Sequence, residues 1–273
     1  MRLYVDDKLL IDGWGKDKSA DQALDFHFEA GRTYKIRIEF VNDRRGARVI
    51  FGYSAGRENF PAAVEAARKA DVAILCMGDN EETSGENFDR TDLNLPGRQL
   101  ELVQAVYATG TPVVLVLQSG RPVTANWEND HLPAILEAWF PGEQGGTAIA
   151  KTLFGDAAPG GRLPITFPRS VGQIPCHYSR RPGGGKRYVE MDWLPLYPFG
   201  YGLTYTTFAY RDMALSRSVI DPQDTVTVSV TVTNTGKYTG DAVPQLYVRD
   251  MFISVVKPER QLAAFRRLTL APG

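Results

Sequence analysis

The spacing of apolar residues changes character along the chain, and each change marks a different kind of structure. From residue 1 to about 53 the apolar positions alternate with polar ones in short runs. Leu3-Tyr4-Val5 and Leu9-Leu10-Ile11 flank the turn residues Asp6-Asp7-Lys8. Phe26 and Phe28, then Tyr34, Ile36, Ile38 and Phe40, alternate on either side of Ala30-Gly31-Arg32, and Val49-Ile50-Phe51 follows the polar stretch Asn42-Asp43-Arg44-Arg45-Gly46. A period of two bounded by turn residues predicts strands and hairpins. The amount of strand is about half of a β-sandwich, whose open edges would require partners.

From about 60 to 168 the pattern becomes one of strand and helix in alternation. Val72-Ala73-Ile74-Leu75-Cys76-Met77, the run from Pro112 to Leu117, and Ala134-Ile135-Leu136-Glu137-Ala138-Trp139 are too short to be free-standing helices. They read as strands buried on both faces. Between them lie helical patterns: Pro61 to Arg68, a helix opening at Pro96 with Leu102, Val103, Val106 and Tyr107 on one side and ending near Gly110, and Gly146 to Phe154 with Ala148, Ile149 and Leu153 inward. Leu163 to Phe167 reads as a further strand. This alternation predicts right-handed βαβ units and a parallel sheet. Three strand exits, Gly78-Asp79-Asn80-Glu81, Gln118-Ser119-Gly120-Arg121 and Phe140 to Gly146, then fall on the carboxyl edge, where open α/β sheets bind ligands.

Residues 169 to about 210 are rich in Pro, Gly and aromatics, and Leu196 to Tyr205 is too interrupted for a regular element, so an aromatic interdomain connection is expected. Beyond it the chain is β again. Val226, Val228, Val230 and Val232 alternate with Thr and Ser, Asn234-Thr235-Gly236 makes a turn, Val243 and Leu246-Tyr247-Val248 form the next strand, and Leu262 to Leu270 one or two more. A fibronectin-type sandwich needs about seven strands, more than this stretch supplies. The expected fold class is therefore multidomain α/β plus β. Its boundaries fall at residues 1–56 (partial β-sandwich), 57–180 (parallel-sheet α/β sandwich), 181–212 (aromatic connection) and 213–273 (incomplete fibronectin-like β-sandwich).

Composition narrows the function only by exclusion. Over 273 residues the formal net charge is -1, which gives no electrostatic case for nucleic acid or an anionic membrane. No apolar run approaches the ~20 residues of a membrane helix. Met1 to Asp7 places acids where a signal peptide would carry its apolar region, so none is expected. Cysteine usage leaves the compartment open: Cys76 falls in an expected buried strand and Cys176 in a loop, with no disulfide framework. His27, His131 and His177 lack ligand spacing, and no metal or other cofactor is expected.

The chemistry is concentrated in Gly78-Asp79-Asn80-Glu81-Glu82-Thr83-Ser84-Gly85-Glu86-Asn87-Phe88-Asp89-Arg90, an acidic loop between a strand exit and a helix. Clustered carboxylates at such an edge suit acid–base work better than packing. Competing chemistries find weaker support. No G-x-G-x-x-G follows a strand, as a dinucleotide site would need. Pro182-Gly183-Gly184-Gly185-Lys186-Arg187 lacks the spacing and the Ser or Thr of a phosphate loop and reads as a surface loop. Leu117-Gln118-Ser119-Gly120 is no nucleophile elbow, which weakens a serine hydrolase built on Ser119 and His177.

Ser84-Gly85-Glu86-Asn87-Phe88-Asp89-Arg90, followed by Leu93-Asn94-Leu95-Pro96-Gly97, resembles the "EGxDR … LP" signature of family 3 glycoside hydrolases. Three further segments agree in order: Trp139-Phe140-Pro141-Gly142 with Gly145-Gly146, Leu153-Phe154-Gly155-Asp156 with Gly160-Gly161-Arg162-Leu163-Pro164, and Pro198-Phe199-Gly200-Tyr201-Gly202-Leu203. Val230 to Gly236 and Leu270 to Gly273 resemble the family's fibronectin-like domain. Arg2-Leu3-Tyr4-Val5-Asp6, with Leu10-Ile11-Asp12 and Trp14, resembles the latter part of a PA14 module, which some β-glucosidases of the family carry inside their α/β sandwich.

The resemblance implies a retaining, exo-acting glycosidase of β-linked glucosides or related glycosides. Glu86 matches the general acid/base, with Glu81 and Glu82 as rivals and Glu143 behind them. Asp89 and Arg90 are a loop-fixing ion pair or substrate contacts. The family's nucleophilic aspartate belongs to a (β/α)₈ barrel, and no Ser-Asp-Trp occurs here; Met191-Asp192-Trp193 lies in the wrong segment. The expectation is a C-terminal piece of an enzyme that needs the barrel domain in cis or in trans and is inactive alone. The rival expectation is a non-catalytic carbohydrate-binding or scaffolding fragment.

Overall fold

The computed structural model describes residues 1–14, 24–41, 49, 51–52, 60–181 and 187–273. The chain divides into two compact units, Met1–Glu58 and Asn59–Gly273.

In the first unit, β1 (Arg2–Val5) is the middle strand of an antiparallel sheet between β2 (Lys8–Asp12) and β3 (Ile36–Glu39). Asp6 and Asp7 both have positive φ, 49° and 63°, as the tight turn of a two-residue hairpin requires. Leu3, Val5 and Ile11 are buried on the sheet. Phe26 and Phe28, expected in a strand, lie in irregular chain instead, and their rings cluster with Tyr34 around the turn at Gly31. Val49 and Phe51 likewise belong to no strand, while Ile50 and the turn Asn42 to Gly46 lie outside the described residues.

The second unit is built on a parallel sheet in the order β4 (Ala73–Gly78), β5 (Val113–Gln118), β6 (Ala134–Glu137). Helix α1 (Pro61–Arg68) leads into β4, α2 (Gln99–Tyr107) and α3 (Asn126–His131) connect the strands, and α4 (Gly145–Leu153) follows β6. Strand β5 is central, so Val113, Leu115, Val116 and Leu117 are all buried; Val113, Leu115 and Leu117 form the core with Val103 and Val106 of α2, Ala67 of α1 and Leu132.

The outer strand differs from expectation. Ala73, Leu75 and Met77 pack toward that core, but Ile74 is 45% exposed and Cys76 is exposed on the opposite face, so β4 is not buried on both sides. An edge strand is covered only where something is laid against it, and its own apolar pattern cannot supply that cover.

Two further boundaries shift. Gly97 takes φ 62°, which breaks the helical path, so α2 begins at Gln99 and Pro96 sits in the turn before it. Leu163 to Phe167 is not a strand. Pro164 and Pro168 have no N–H to give a ladder, and the segment instead makes isolated backbone bonds with the aromatic connection: Leu163 N–H to Tyr201 O (2.8 Å), Gly200 N–H to Leu163 O (2.8 Å) and Phe167 N–H to Tyr197 O (2.8 Å). Helix α4 also turns less inward than its pattern implies, since Ala148 is exposed and Ile149 and Leu153 are half-buried.

After this connection come three antiparallel pairs: β7 (Phe208–Leu215) with β8 (Val228–Asn234), β9 (Gly240–Ala242) with β12 (Leu268–Leu270), and β10 (Gln245–Val248) with β11 (Gln261–Phe265). Buried Asn234 joins their loops: its Oδ1 accepts from Thr206 Oγ1 (2.6 Å) and its Nδ2 donates to Tyr238 O and Leu270 O (2.8 and 2.9 Å). Pro182 to Lys186, the glycine-rich surface loop of the sequence, lies outside the described residues. Among the described residues no helix is long and apolar enough to cross a membrane.

Candidate active site

The register of the sheet brings the three strand exits side by side. Gly78 pairs with Gln118 and Leu117 with Glu137, so the chain leaves β4, β5 and β6 at the same level. Their loops meet at Gly120, where an added Cβ would lie 2.8 Å from the Phe140 ring and 3.0 Å from Ser84 Oγ. A side chain there would push the β4 and β6 loops apart.

The acidic loop is started by a fixed strand end. Gly78 has φ 144°, and a Cβ on it would collide with Gln118 O, so only glycine fits. The Gln99 side-chain amide closes the same point from α2, accepting from Gly78 N–H (2.7 Å) and donating to Gly78 O (2.8 Å). Asn80 Oδ1 then accepts from the N–H groups of Glu82 and Thr83 (2.9 and 3.1 Å), an Asx turn that reverses the chain.

Beneath the loop lies a carboxylate that the sequence pattern does not single out. The Asp79 side chain is 2% exposed. Its Oδ1 accepts from Thr83 Oγ1 (2.9 Å) and Arg90 Nη1 (3.2 Å), and its Oδ2 lies 3.5 Å from Arg121 Nε. Arg90 also donates to Asn94 O (3.0 Å), while Arg121 donates through Nη2 to Thr83 O (3.1 Å) and through Nη1 to Phe88 O (3.3 Å). One buried acid and two arginines from three segments thus frame the loop. The expected partnership of Asp89 with Arg90 is replaced by one with Asp79, and Asp89 itself is exposed with no ion pair among the described residues.

Glu86 sits at the exposed tip, between the two carbonyls that Arg121 holds. The tip is a turn closed by Phe88 N–H to Gly85 O (3.2 Å), and Asn87 adopts φ 65°, the left-handed region open to Gly and, next best, to Asn. That explains how Asn87 stands where the "EGxDR" signature has glycine. Glu81, Glu82 and Glu143 are exposed too.

The alternatives lose ground on geometry. Ser119 is fully buried and its hydroxyl donates to Arg121 O (2.7 Å), so it is not presented as a nucleophile. His131 is stacked on Trp127 at 4.3 Å, and His177 is exposed. Among the described residues no group of three His, Cys, Asp or Glu could hold a metal ion.

A second inward-turned acid, the half-buried Glu137, closes β6. Its Oε1 accepts from Trp139 N–H (2.9 Å), which helps hold Trp139 at φ 53°, while its Oε2 is buried without a hydrogen-bond partner. Burial pushes its carboxyl from the ordinary 4.5 up to about 7, against the opposing pull of that hydrogen bond.

An exposed carboxylate at the tip of a braced loop, on the carboxyl edge of a parallel sheet, marks an α/β domain of the class that binds ligands at that edge. Family comparison agrees with the class. Residues 10–205 match the glycosyl hydrolase family 3 C-terminal domain and residues 242–273 a fibronectin type III-like domain, so the chain belongs to glycosyl hydrolase family 3.

It is 48% identical over 251 residues to a beta-xylosidase of Formosa agariphila, covering 88% of this chain and 35% of that protein. It is 46% identical to the periplasmic beta-glucosidase of Salmonella typhimurium, covering 77% and 29%. Against a beta-glucosidase of Rhizobium radiobacter it is 37% identical, covering 100% and 37%. Among solved structures it resembles a β-glucosidase of Erythrobacter marinus (TM-score 0.75, 45% identity, 78% of this chain and 29% of that one). It also resembles the Listeria innocua beta-glucosidase in complex with glucose (TM-score 0.76, 31% identity, 81% and 32%). The chain spans about a third of the length of these relatives.

Proposed function

We propose that the chain is the acid/base-bearing part of a retaining, exo-acting β-glycosidase that cleaves β-linked glucosides or related glycosides. Glu86 protonates the departing glycosidic oxygen and then, as base, takes a proton from the water that attacks the glycosyl-enzyme. The nucleophilic carboxylate comes from a barrel domain outside these 273 residues. The observation that carries this reading is the exposed Glu86 carboxylate on a loop braced at both feet, at the carboxyl edge of the sheet. The names of the relatives, beta-glucosidase and beta-xylosidase, support the substrate class. Asp89 is the candidate for a sugar contact, and Arg90 serves the loop through Asp79.

Within the same reading, residues 1–56 are the latter part of a PA14 insertion, 57–180 the sandwich domain, 181–212 the connection and 213–273 part of the fibronectin-like domain. Exposed Met213, Leu215 and Val230 on β7 and β8 support a sheet whose cover lies elsewhere, and in the first unit Phe26, Phe28, Phe40 and Phe51 expose their rings from irregular chain.

The test is azide rescue in the full-length enzyme. Glu86→Ala is expected to lose about 10²–10⁴-fold on substrates with poor leaving groups. Azide needs no base, so it should restore turnover of an activated aryl glucoside and yield a glycosyl azide of retained configuration. Rescue of Glu81→Ala or Glu82→Ala instead would move the assignment. Full activity in all three variants would favour a carbohydrate-binding or scaffolding role without catalysis. The chain on its own should turn over no aryl β-glucoside, and saturable turnover abolished by Glu86→Ala would contradict the need for a barrel.

A further inference from the structure

We infer that Arg121 is the positioning residue for Glu86, its guanidinium fixing where the carboxylate stands by binding both feet of the loop that carries it; this rests on Glu86 being the acid/base. Glu86 makes no side-chain hydrogen bond or ion pair among the described residues, so its place in space is set by its backbone alone. Inside the segment Thr83 to Phe88 that backbone has one internal hydrogen bond, the Phe88 to Gly85 turn. The remaining restraints are at the two ends, and Arg121 supplies one to each, at 3.1 Å to Thr83 O and 3.3 Å to Phe88 O.

The chemistry of the clamp favours arginine. A guanidinium is a rigid planar fork whose N–H groups point at two acceptors at once, whereas an ammonium is a point donor on a flexible stem. The fork faces a counter-ion, its Nε 3.5 Å from buried Asp79 in an ion pair without a hydrogen bond, and the backbone it springs from is fixed by the Ser119 hydroxyl, which donates to Arg121 O. Arg121 also belongs to the exit of β5, so it ties the β4 loop to the most deeply buried strand of the sheet. With a side chain only 21% exposed and its contacts inward, it is placed to act on the loop rather than on a sugar. A shift of about 1 Å in a reacting group can cost about 100-fold in rate, so loosening this clamp should be felt in proton transfer.

Arg121→Lys retains the charge facing Asp79 but cannot span both carbonyls. In the full-length enzyme it should lower kcat/KM on a β-glycoside with a poor leaving group about 10- to 100-fold, mainly in kcat. The loss should be several-fold smaller on a dinitrophenyl glycoside, which needs little protonation. The decisive measurement is a double-mutant cycle. If Arg121 works through Glu86, Arg121→Lys in the Glu86→Ala background should cost less than about 3-fold, because the group it positions is gone.

An equal fold-loss in both backgrounds, or an equal loss on both leaving groups, would overturn the proposal. So would an Arg121→Lys enzyme that does not fold, since Arg121 would then serve the fold rather than the acid. A Glu86→Ala enzyme with undiminished activity would instead remove the acid/base reading on which the proposal rests.

Discussion

Asp79 and Arg90 meet across eleven residues, Oδ1 to Nη1 at 3.2 Å, with the carboxylate 2% exposed and the guanidinium side chain 19%. The pair closes the acidic loop on itself, and the Arg121 Nε beside Oδ2 makes it a triad of one carboxylate and two guanidinium cations. A carboxylate this deeply buried is tolerated because both of its oxygens face cations and a hydroxyl donates to it. Removing it would leave two arginines turned inward without their counter-ion.

Asp79→Ala is therefore expected to destabilise the second unit by about 3 kcal/mol, the usual cost of breaking a buried pair from one side. The loss should be read as a lower denaturation midpoint at unchanged slope. Asp79→Asn retains a hydrogen-bond acceptor and should cost less. A change below about 0.5 kcal/mol in Asp79→Ala would mean that the triad contributes nothing net.

Much of this arrangement is legible in the amino-acid sequence, and the remainder is hidden for identifiable reasons. Strand–helix alternation locates the sheet, and parallel pairing necessarily puts the exits after Met77, Leu117 and Glu137 on one edge. The partner of Arg90 is not legible, because an ion pair spanning a loop leaves no local spacing to read, and neighbouring Asp89 is the obvious but wrong choice. Nor is the role of Arg121, which reaches Thr83 across 38 residues. Cys76 departs from expectation for another reason. An apolar run reports what a strand can bury, while the cover on its outer face depends on what is packed against it.

Glu137 makes the stability of the second unit depend on pH in a direction opposite to that of an ion-paired acid. Its carboxyl is raised from 4.5 to about 7 in the folded state. Between those values the folded chain retains a proton that the unfolded chain gives up, so this group's contribution to stability falls as pH rises through the window and is level above it. Glu128, buried in α3, is raised by burial as well and adds a slope of the same sign. Glu137→Gln retains an acceptor for Trp139 N–H and carries no charge. It should be near neutral at pH 4 and stabilising by on the order of 2 kcal/mol at pH 8. Melting curves of both proteins across that range test this; parallel curves would show that Glu137 does not titrate there.

The last prediction concerns Asn87, because its backbone sets the direction of the tip. At φ 65° a residue with a Cβ is strained, by roughly 1–2 kcal/mol for most side chains and less for Asn. Asn87→Gly should therefore be neutral or slightly stabilising in the folded state. It also restores the residue that the signature has at this position, so activity of the full-length enzyme should stay within about 3-fold.

Asn87→Val should behave differently, since a β-branched side chain is the least tolerant of this region. The relief available to it is to rotate out of the left-handed region, which would break the Phe88 to Gly85 turn and swing Glu86 away from the sheet edge. A global stability loss of no more than about 2 kcal/mol should accompany a much larger loss of activity, concentrated on substrates with poor leaving groups. If Asn87→Val loses stability but retains full activity on those substrates, the geometry of the turn does not govern the acid.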